Sequence, residues 1–177
     1  INALFHIPLF YYEVNEWDRK KKALMSRIRQ NKFDYYGTAN FQTDRHSKKN
    51  NYALDFEMIF DQELYQFKQD AGLSRYKIKD IWTVKYTKPN EGHCVHNHMS
   101  TGYTGILYVD HDPKVHPVTT FIGPWNDPVT DKTQLNLLPD AKEGMFYIWP
   151  SVLLHYVDGM NTNKTRIITS LDMEVSQ

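Results

Sequence analysis

Three histidines, His93, His96 and His98, lie within six residues in the middle of the chain. The alternating pattern around them predicts a strand over residues 94–98, and residues two apart on a strand project from the same face, about 6.6 Å apart along the backbone. Two imidazole donors at that separation can converge on one metal ion. His155, far along the chain, offers a third nitrogen donor. Three protein ligands leave coordination positions open for substrate or oxygen, so the pattern predicts a catalytic metal site.

The single cysteine, Cys94, limits the kinds of metal site that the chain can form. One cysteine excludes an internal disulfide framework and a zinc ribbon with several cysteine ligands. Cys94 shares the strand parity of His96 and His98 and is a minor candidate ligand, although a soft thiolate would compete with oxygen chemistry. The histidine cluster by itself is compatible with zinc and with iron.

The composition is that of an ordinary globular protein of 177 residues, with 41% hydrophobic and 24% charged residues. The 21 Lys and Arg balance the 21 Asp and Glu, which argues against a protein that binds the nucleic-acid backbone. No apolar stretch approaches the roughly 18 residues of a membrane span, and the first residues lack a signal-peptide layout. We therefore expect a cytoplasmic protein with neither nucleic-acid nor membrane partners. The sequence does not indicate an oligomeric state.

The first 75 residues are predicted to be mainly helical support. Asn15 is placed to cap a helix that runs to Arg29, on which apolar residues share one face. A second helix is predicted over residues 52–71, and a glycine follows it as a stop signal. The polar stretch between the two helices has no clear period.

From residue 76 onward the period changes from helical to alternating. Residues 76–86 carry apolar side chains on one parity and mostly lysine or threonine on the other, as in a strand with one buried face. Further short strands are predicted over residues 94–98, 103–109, 118–122, 134–138, 145–149, 155–157 and 166–173. Many short strands with turn signals between them predict a mainly β protein, either a barrel or a sandwich of antiparallel sheet. Residues 1–177 are predicted to form one domain, with helical support in 1–75 and the β core in 76–177.

Five separated pieces of the second half carry a resemblance to a known family. They are Trp82-x-x-x-Tyr86, Gly92-x-x-x-His96-Asn97-His98, Thr104-Gly105-Ile106-Leu107-Tyr108-Val109, Gly144-x5-Pro150-Ser151-x-x-x-His155, and Arg166. In order and spacing these pieces resemble the 2-oxoglutarate and iron(II)-dependent oxygenase superfamily, and most closely its prolyl-hydroxylase-like branch with phage and marine bacterial members. The resemblance covers about residues 78–173.

The resemblance implies a double-stranded β-helix, or jelly-roll barrel, that holds iron(II). By position, His96 corresponds to the first iron ligand and His155 to the distal one. His98 stands where the family most commonly has a carboxylate, which is a departure from its pattern. Either His98 ligates the iron, which we favour, or water fills the position. Asp110 and Asp112 are the alternative carboxylates.

The resemblance also implies the co-substrate site. Arg166, eleven residues after His155, matches the basic residue that pairs with the far carboxylate of 2-oxoglutarate, and a guanidinium fork suits that task. Tyr86 and Tyr108 resemble tyrosines that lie beside the co-substrate. The implied cofactors are Fe(II), 2-oxoglutarate and O2. The implied reaction is hydroxylation of an unactivated C–H bond in a small molecule, peptide or protein, for example at a prolyl or other amino-acid residue, with release of succinate and CO2.

Two other functions are compatible with the same histidines. A cupin-like three-His metalloenzyme would share the barrel and the metal without using 2-oxoglutarate, and the segment from Gly144 to His155 also matches part of the cupin motif. Arg166 distinguishes the oxygenase from the cupin-like enzyme, because a cupin has no need of this residue. A non-enzymatic metal-binding module is the other alternative, although structural zinc prefers closed sites with four ligands, usually including cysteine.

Overall fold

The computed structural model describes residues 7–35, 40–47, 52–98 and 102–177 of the chain. Within these residues the helices are α1 (Trp17–Ile28), α2 (Ala53–Ile59) and α3 (Asp61–Asp70). The strands are β1 (Phe10–Glu13), β2 (Asp34–Tyr35), β3 (Gln42–Thr43), β4 (Arg75–Tyr86), β5 (His93–His96), β6 (Tyr103–Asp110), β7 (Thr119–Asn126), β8 (Thr133–Leu137), β9 (Met145–Pro150), β10 (His155–Val157) and β11 (Arg166–Ser176). None of these helices is both long enough and apolar enough to cross a lipid bilayer.

The strands form two antiparallel sheets. The larger sheet has the order β1-β9-β6-β11-β4-β3-β2, and the smaller has the order β5-β10-β7-β8. In the larger sheet β11 pairs with β4 on one side and with β6 on the other. In the smaller sheet β10 lies between β5 and β7. Two antiparallel sheets, with the helices confined to the first part of the described chain, confirm the prediction of a mainly β protein.

Side chains of the larger sheet alternate between two buried clusters. On β6, Leu107 joins the cluster under the helices, whereas Ile106 and Tyr108 join a cluster on the opposite face. Phe121 of the smaller sheet packs against this second cluster and meets Trp149 edge-on, with ring centroids 5.1 Å apart. The second cluster therefore lies where the two sheets meet.

The helices cover the other face of the larger sheet. Leu24 and Ile28 of α1, Phe56 of α2, and Leu64 and Phe67 of α3 are fully buried there. Their three- and four-residue spacings give each helix one apolar stripe, and burial of each such side chain stabilises the fold by roughly 1.5–3 kcal/mol. This face of the sheet supports the fold, whereas the predicted site residues lie on or beside the opposite face.

The helices differ from the sequence-based prediction at two places. Helix α1 starts after Glu16, whose φ of 53° is left-handed, and the predicted cap Asn15 instead donates its backbone N–H to Glu63. The predicted second helix is two helices, because Phe60 leaves helical geometry with φ −113° and ψ 29°. The apolar spacing continues through the break, so the sequence period does not reveal it.

The first 75 residues contribute strands as well as helices. β1 pairs with β9 at one edge of the larger sheet, and β3 pairs with β4 near the other edge. The polar stretch for which no period was visible contains β2 and β3. The prediction of mainly helical support in residues 1–75 is therefore incomplete, since both parts of the chain share one sheet.

A buried ion pair between α1 and α3 gives a stability prediction. Lys20 Nζ lies 2.9 and 2.7 Å from the carboxylate oxygens of Glu63, and both side chains are almost fully buried. Glu63→Leu leaves the ammonium buried without its partner, so we expect the free energy of unfolding to fall by about 3–5 kcal/mol. The double variant Lys20→Met/Glu63→Leu should recover most of that loss. Urea unfolding measures both values, and a double variant as unstable as the single one would contradict the pairing argument.

Candidate metal centre

Three histidines converge between strand β5 and strand β10. His96 ends β5 and is the direct cross-strand partner of His155, which begins β10. His98 lies two residues beyond the end of β5, where its backbone N–H donates to Ser151 O at 3.0 Å. One ring nitrogen from each of the three histidines lies within 4.8 Å of the other two. The structure thus brings together the three residues proposed as ligands from the sequence.

The strand that carries these histidines differs from its prediction. β5 covers His93–His96 rather than residues 94–98, so His98 reaches the centre from the segment just after the strand. At the start of the strand, an added Cβ on Gly92 would lie 2.7 Å from Val157 O, which is closer than real side chains approach. Glycine therefore permits the close approach of β5 to β10 that sets His96 beside His155.

Each of the three histidines has its Nδ1 held by an oxygen acceptor. His96 Nδ1 lies 2.8 Å from Cys94 O, and His155 Nδ1 lies 2.9 Å from Leu153 O. His98 Nδ1 lies 2.6 Å from the Oδ1 carboxylate oxygen of Asp172. A carbonyl oxygen can only accept, so Nδ1 of His96 and His155 carries the proton and donates it. Nε2 is then the unprotonated nitrogen, with its lone pair available to a metal.

The surroundings keep the His96 and His155 imidazoles neutral. Burial first, and then the neighbouring His96 and His98, lower the pKa of His155 to about 3, although its hydrogen bond to Leu153 O acts in the opposite direction. Burial likewise lowers the pKa of His96, opposed in part by its bond to the Cys94 carbonyl. A metal ligand must be unprotonated, so near neutral pH no proton competes for these nitrogens.

The remaining members of the sequence cluster are neighbours of the three-His group. The His93 ring stacks on His96, with centroids 3.9 Å apart, and contacts Phe41 on its other side. The group of three histidines includes neither His93 nor the exposed Cys94. Asp112, one of the alternative carboxylates, pairs instead with Lys164 at 2.6 Å. Neither Asp112 nor Asp110 joins the group.

A buried arginine without a partner lies deeper in the same interior. Arg166 begins β11 directly opposite Tyr86 on β4, and it is completely buried. Its guanidinium carbon lies 4.7 Å from the Tyr86 ring centroid and 5.3 Å from that of Tyr108. None of its three guanidinium nitrogens has a hydrogen-bond partner among the described residues. A buried charge is normally paired because leaving it unpaired costs several kcal/mol, so this guanidinium could hold an anion.

Further unpartnered polar groups lie near Arg166. Neither ring nitrogen of the buried His111 has a partner among the described residues, and its ring lies 4.4 Å from that of Tyr108. The Tyr86 hydroxyl also makes no hydrogen bond of standard geometry to the described residues, and burial raises its pKa, which the charge of Arg166 and a looser polar contact with its guanidinium oppose. The Tyr108 hydroxyl differs, because it accepts the backbone N–H of Thr119 at 3.2 Å. The structure therefore places Tyr86, Tyr108 and Arg166 together and adds His111.

His111 and Asp172 are the site residues that the sequence analysis missed as such. Asp172 lies on β11, 74 positions after the histidine that it holds. An acidic residue between the apolar Leu171 and Met173 of the last strand was the available signal for Asp172.

The burial of His111 predicts a specific pH dependence of stability. Burial first, then the charge of Arg166 and the nearby His116, lowers the pKa of His111 to about 3, while Asp112 acts in the opposite direction. Between pH 6.5 and 3 the unfolded chain binds a proton at this residue that the folded chain does not. Stability therefore falls with falling pH, by up to about 1.4 kcal/mol per pH unit from this histidine.

The variant His111→Phe keeps an aromatic ring beside Tyr108 but cannot take up a proton. Urea unfolding of the metal-free protein at several pH values below 6.5 should show a shallower loss of stability in this variant than in the wild type. Equal slopes would show that His111 is not held neutral by the fold.

A large cavity opens in front of His96 and His98. Its volume is about 1300 Å³, and its lining includes His96, His98, Asp172, Trp82 and Arg45. The cavity exceeds the roughly 300–1,000 Å³ typical of small-molecule pockets, so it has room for an extended substrate.

The chain matches known proteins both in sequence and in structure. Residues 80–172 match the family described as "Putative 2OG-Fe(II) oxygenase". This segment contains the three histidines, Tyr86, Tyr108, His111 and Asp172, and Arg166. A comparison of the sequence with curated proteins finds no match.

Several solved structures share the fold at low sequence identity. The non-heme α-ketoglutarate-dependent epimerase SnoN from nogalamycin biosynthesis is 10% identical, with a TM-score of 0.75 over 95% of this chain and 78% of that one. The viral collagen prolyl hydroxylase of Paramecium Bursaria Chlorella virus-1 is 12% identical, with a TM-score of 0.62 and 96% of each chain covered. A Pseudomonas putida prolyl-4-hydroxylase is 12% identical, with a TM-score of 0.62 over 95% of this chain and 94% of that one.

These likenesses confirm the jelly-roll fold that the sequence resemblance implied. The family match spans more than half of the chain and contains all of the residues that converge at the metal centre and around Arg166. The chain belongs to the 2-oxoglutarate and iron(II)-dependent oxygenase family.

Proposed function

We propose that the chain is a hydroxylase that uses Fe(II), 2-oxoglutarate and O2 and acts on a prolyl or other amino-acid residue of a peptide or protein. His96, His98 and His155 would hold the iron through Nε2. Arg166 would bind the far carboxylate of 2-oxoglutarate, with Tyr86, Tyr108 and His111 around it. The observation that carries the proposal is the combination of a three-His group with a fully buried guanidinium that has no hydrogen-bond partner among the described residues.

The donor set fits the proposed iron. Three neutral imidazoles are nitrogen ligands that suit Fe(II), and a three-ligand protein set leaves positions for a bidentate co-substrate and for oxygen. When bound, iron, 2-oxoglutarate and O2 would supply the oxidising chemistry: one oxygen atom of O2 enters succinate as 2-oxoglutarate loses CO2, and the other becomes the hydroxyl oxygen on the substrate carbon.

The chain's own residues would bind the iron and the co-substrate, orient the ligand rings and keep water away from the metal centre. Backbone carbonyls of Cys94 and Leu153 fix the rings of His96 and His155. Trp149 is fully buried and stands edge-on to the His155 ring, at 5.2 Å, which excludes water from that side of the centre. Arg166 offers a fork of donors that matches a carboxylate, and it is fully buried, where such a bond is strong.

The unpaired Arg166 favours an oxygenase over the two other functions. A cupin-like enzyme that does not use 2-oxoglutarate leaves this buried charge without a purpose and at a large cost in stability. A structural zinc module would be expected to close its coordination shell with a fourth protein ligand. The substrate part of the proposal draws on the cavity of about 1300 Å³ and on the two prolyl hydroxylases whose folds match over nearly the whole chain.

The test of the proposed function is succinate formation by the iron-loaded protein. Wild type supplied with 2-oxoglutarate and O2 should form succinate slowly without substrate, and His96→Ala and Arg166→Ala should both lose this activity. A proline-containing peptide that is a substrate should raise the rate of succinate formation, and the peptide product should be heavier by one oxygen atom. An iron-loaded wild type that forms no succinate, or equal rates in all three proteins, would overturn the proposal.

A further inference from the structure

We propose that Asp172 is a positioning residue of the metal centre, which holds His98 in its ligating orientation and supplies the negative charge that the three-His ligand set lacks. The inference rests on the proposed function, since it concerns the same metal site. Asp172 lies on β11 between two neighbours, Asp80 on β4 and Thr104 on β6.

The bond between Asp172 and His98 is short and partly buried. Asp172 Oδ1 lies 2.6 Å from His98 Nδ1, and the two side chains are 15% and 8% exposed. Thr104 Oγ1 lies 3.3 Å from the same nitrogen but donates its own proton to Leu171 O. Both groups around Nδ1 therefore accept from it, so Nδ1 carries the proton and Nε2 is left free for the metal.

His98 needs this support more than its two partners do. His96 and His155 lie on paired strands, and their rings are held by backbone carbonyls close in sequence. His98 lies beyond the strand, and its ring is fixed by side chains from other strands. Trp82 of β4 stacks on it at 5.7 Å and 22°, and Asp172 of β11 holds its Nδ1.

The charge arrangement favours Asp172 over the neighbouring Asp80 as the group that compensates the charge of the metal. Three neutral histidines give a divalent metal no negative ligand. Arg45 lies on Trp82 and pairs with Asp80 at 2.8 Å, whereas its nearest nitrogen lies 4.0 Å from Asp172. Asp172 thus directs its closer oxygen to the His98 ring, and a carboxylate behind a metal-bound imidazole raises the basicity of that ligand.

Asp80 provides a matched control. It faces Asp172 across the β4–β11 pair, carries the same carboxylate and contacts the same arginine, without a bond to His98 in the described structure. Asp172→Asn and Asp80→Asn therefore remove the same charge at neighbouring positions. Only Asp172→Asn removes a charge that is bonded to His98.

The experiment measures Co(II) affinity and visible absorption of the full chain, with Fe(II) affinity measured under anaerobic conditions. Asp172→Ala should weaken metal binding by about 10- to 100-fold, and Asp172→Asn, which keeps an acceptor, by less. Both Asp172 variants should shift the ligand-field bands of bound Co(II), a signal that a purely structural residue would leave unchanged. Asp80→Asn should match wild type in affinity and spectrum. Thermal unfolding of the metal-free variants separates a folding defect from a metal-binding defect.

The outcomes separate this inference from the proposed function. In one outcome, the wild type binds metal and His155→Ala does not, but Asp172→Asn, Asp172→Ala and Asp80→Asn all have the same affinity and spectrum. That outcome would overturn the role of Asp172 and leave the metal centre standing. A wild type that binds no metal, or that binds it equally well without His155, would overturn the metal centre and the inference with it.

Discussion

His155→Ala should abolish tight metal binding and, with it, the formation of succinate from 2-oxoglutarate. His155 is buried, pairs directly with His96 across the strands, and contributes one of three convergent nitrogens. Loss of a residue that only supports a ligand typically weakens metal binding by about 10–100-fold, so loss of a ligand itself should exceed 100-fold. Calorimetric titration with Co(II) measures the loss of metal binding. An assay of succinate formation in the presence of Fe(II) and O2 measures the loss of activity.

The control for this variant is His93→Ala. His93 belongs to the same sequence cluster and stacks on His96, but the convergent group does not include it. We expect His93→Ala to keep one bound metal per chain. If His93→Ala lost the metal while His155→Ala kept it, the assignment of ligands would be wrong.

Arg166→Met should change co-substrate affinity and stability in opposite directions. The variant loses charge-assisted hydrogen bonds to 2-oxoglutarate worth about 1.5–3 kcal/mol, so the dissociation constant should rise roughly 10- to 100-fold. In the absence of 2-oxoglutarate the same variant should be more stable than wild type, because it removes a buried charge that has no partner among the described residues.

Two measurements check this pair of effects. Thermal unfolding should show that 2-oxoglutarate stabilises the metal-loaded wild type and not Arg166→Met, since a ligand stabilises only the protein that binds it. Arg166→Lys, which keeps the charge but not the planar fork, should give an intermediate affinity. A destabilised Arg166→Met with unchanged 2-oxoglutarate affinity would show that the arginine is structural.

The sequence contained enough information to identify the three convergent histidines and the arginine. His96 and His98 stand out because of their spacing, and His155 and Arg166 because of their distances along a recognisable motif. The structure brings the histidines together and buries Arg166 opposite Tyr86. The general arrangement was thus predictable, since short strands with turn signals leave few ways to bury both faces of a sheet.

The supporting residues were not predictable in the same way. Asp172 meets His98 only because β11 pairs with β6 and β4 in one particular register, and no local pattern determines a register between strands so far apart in sequence. His98 was expected on the strand, but β5 ends at His96, and the cross-strand partner β10 is only three residues long. The helix break at Phe60 was hidden because the apolar spacing is the same on both sides of it.

The central claim is that His96, His98 and His155 ligate one metal ion through Nε2. The most direct measurement is a crystal structure of the full chain with bound Zn²⁺ as a redox-inert substitute for Fe²⁺ and with the co-substrate analogue N-oxalylglycine. We predict one anomalous scatterer within about 2.1 Å of all three Nε2 atoms, and the analogue's far carboxylate on Arg166. A metal bound elsewhere, or an ion held by His96 and His155 with the His98 ring outside bonding distance, would contradict the three-His centre.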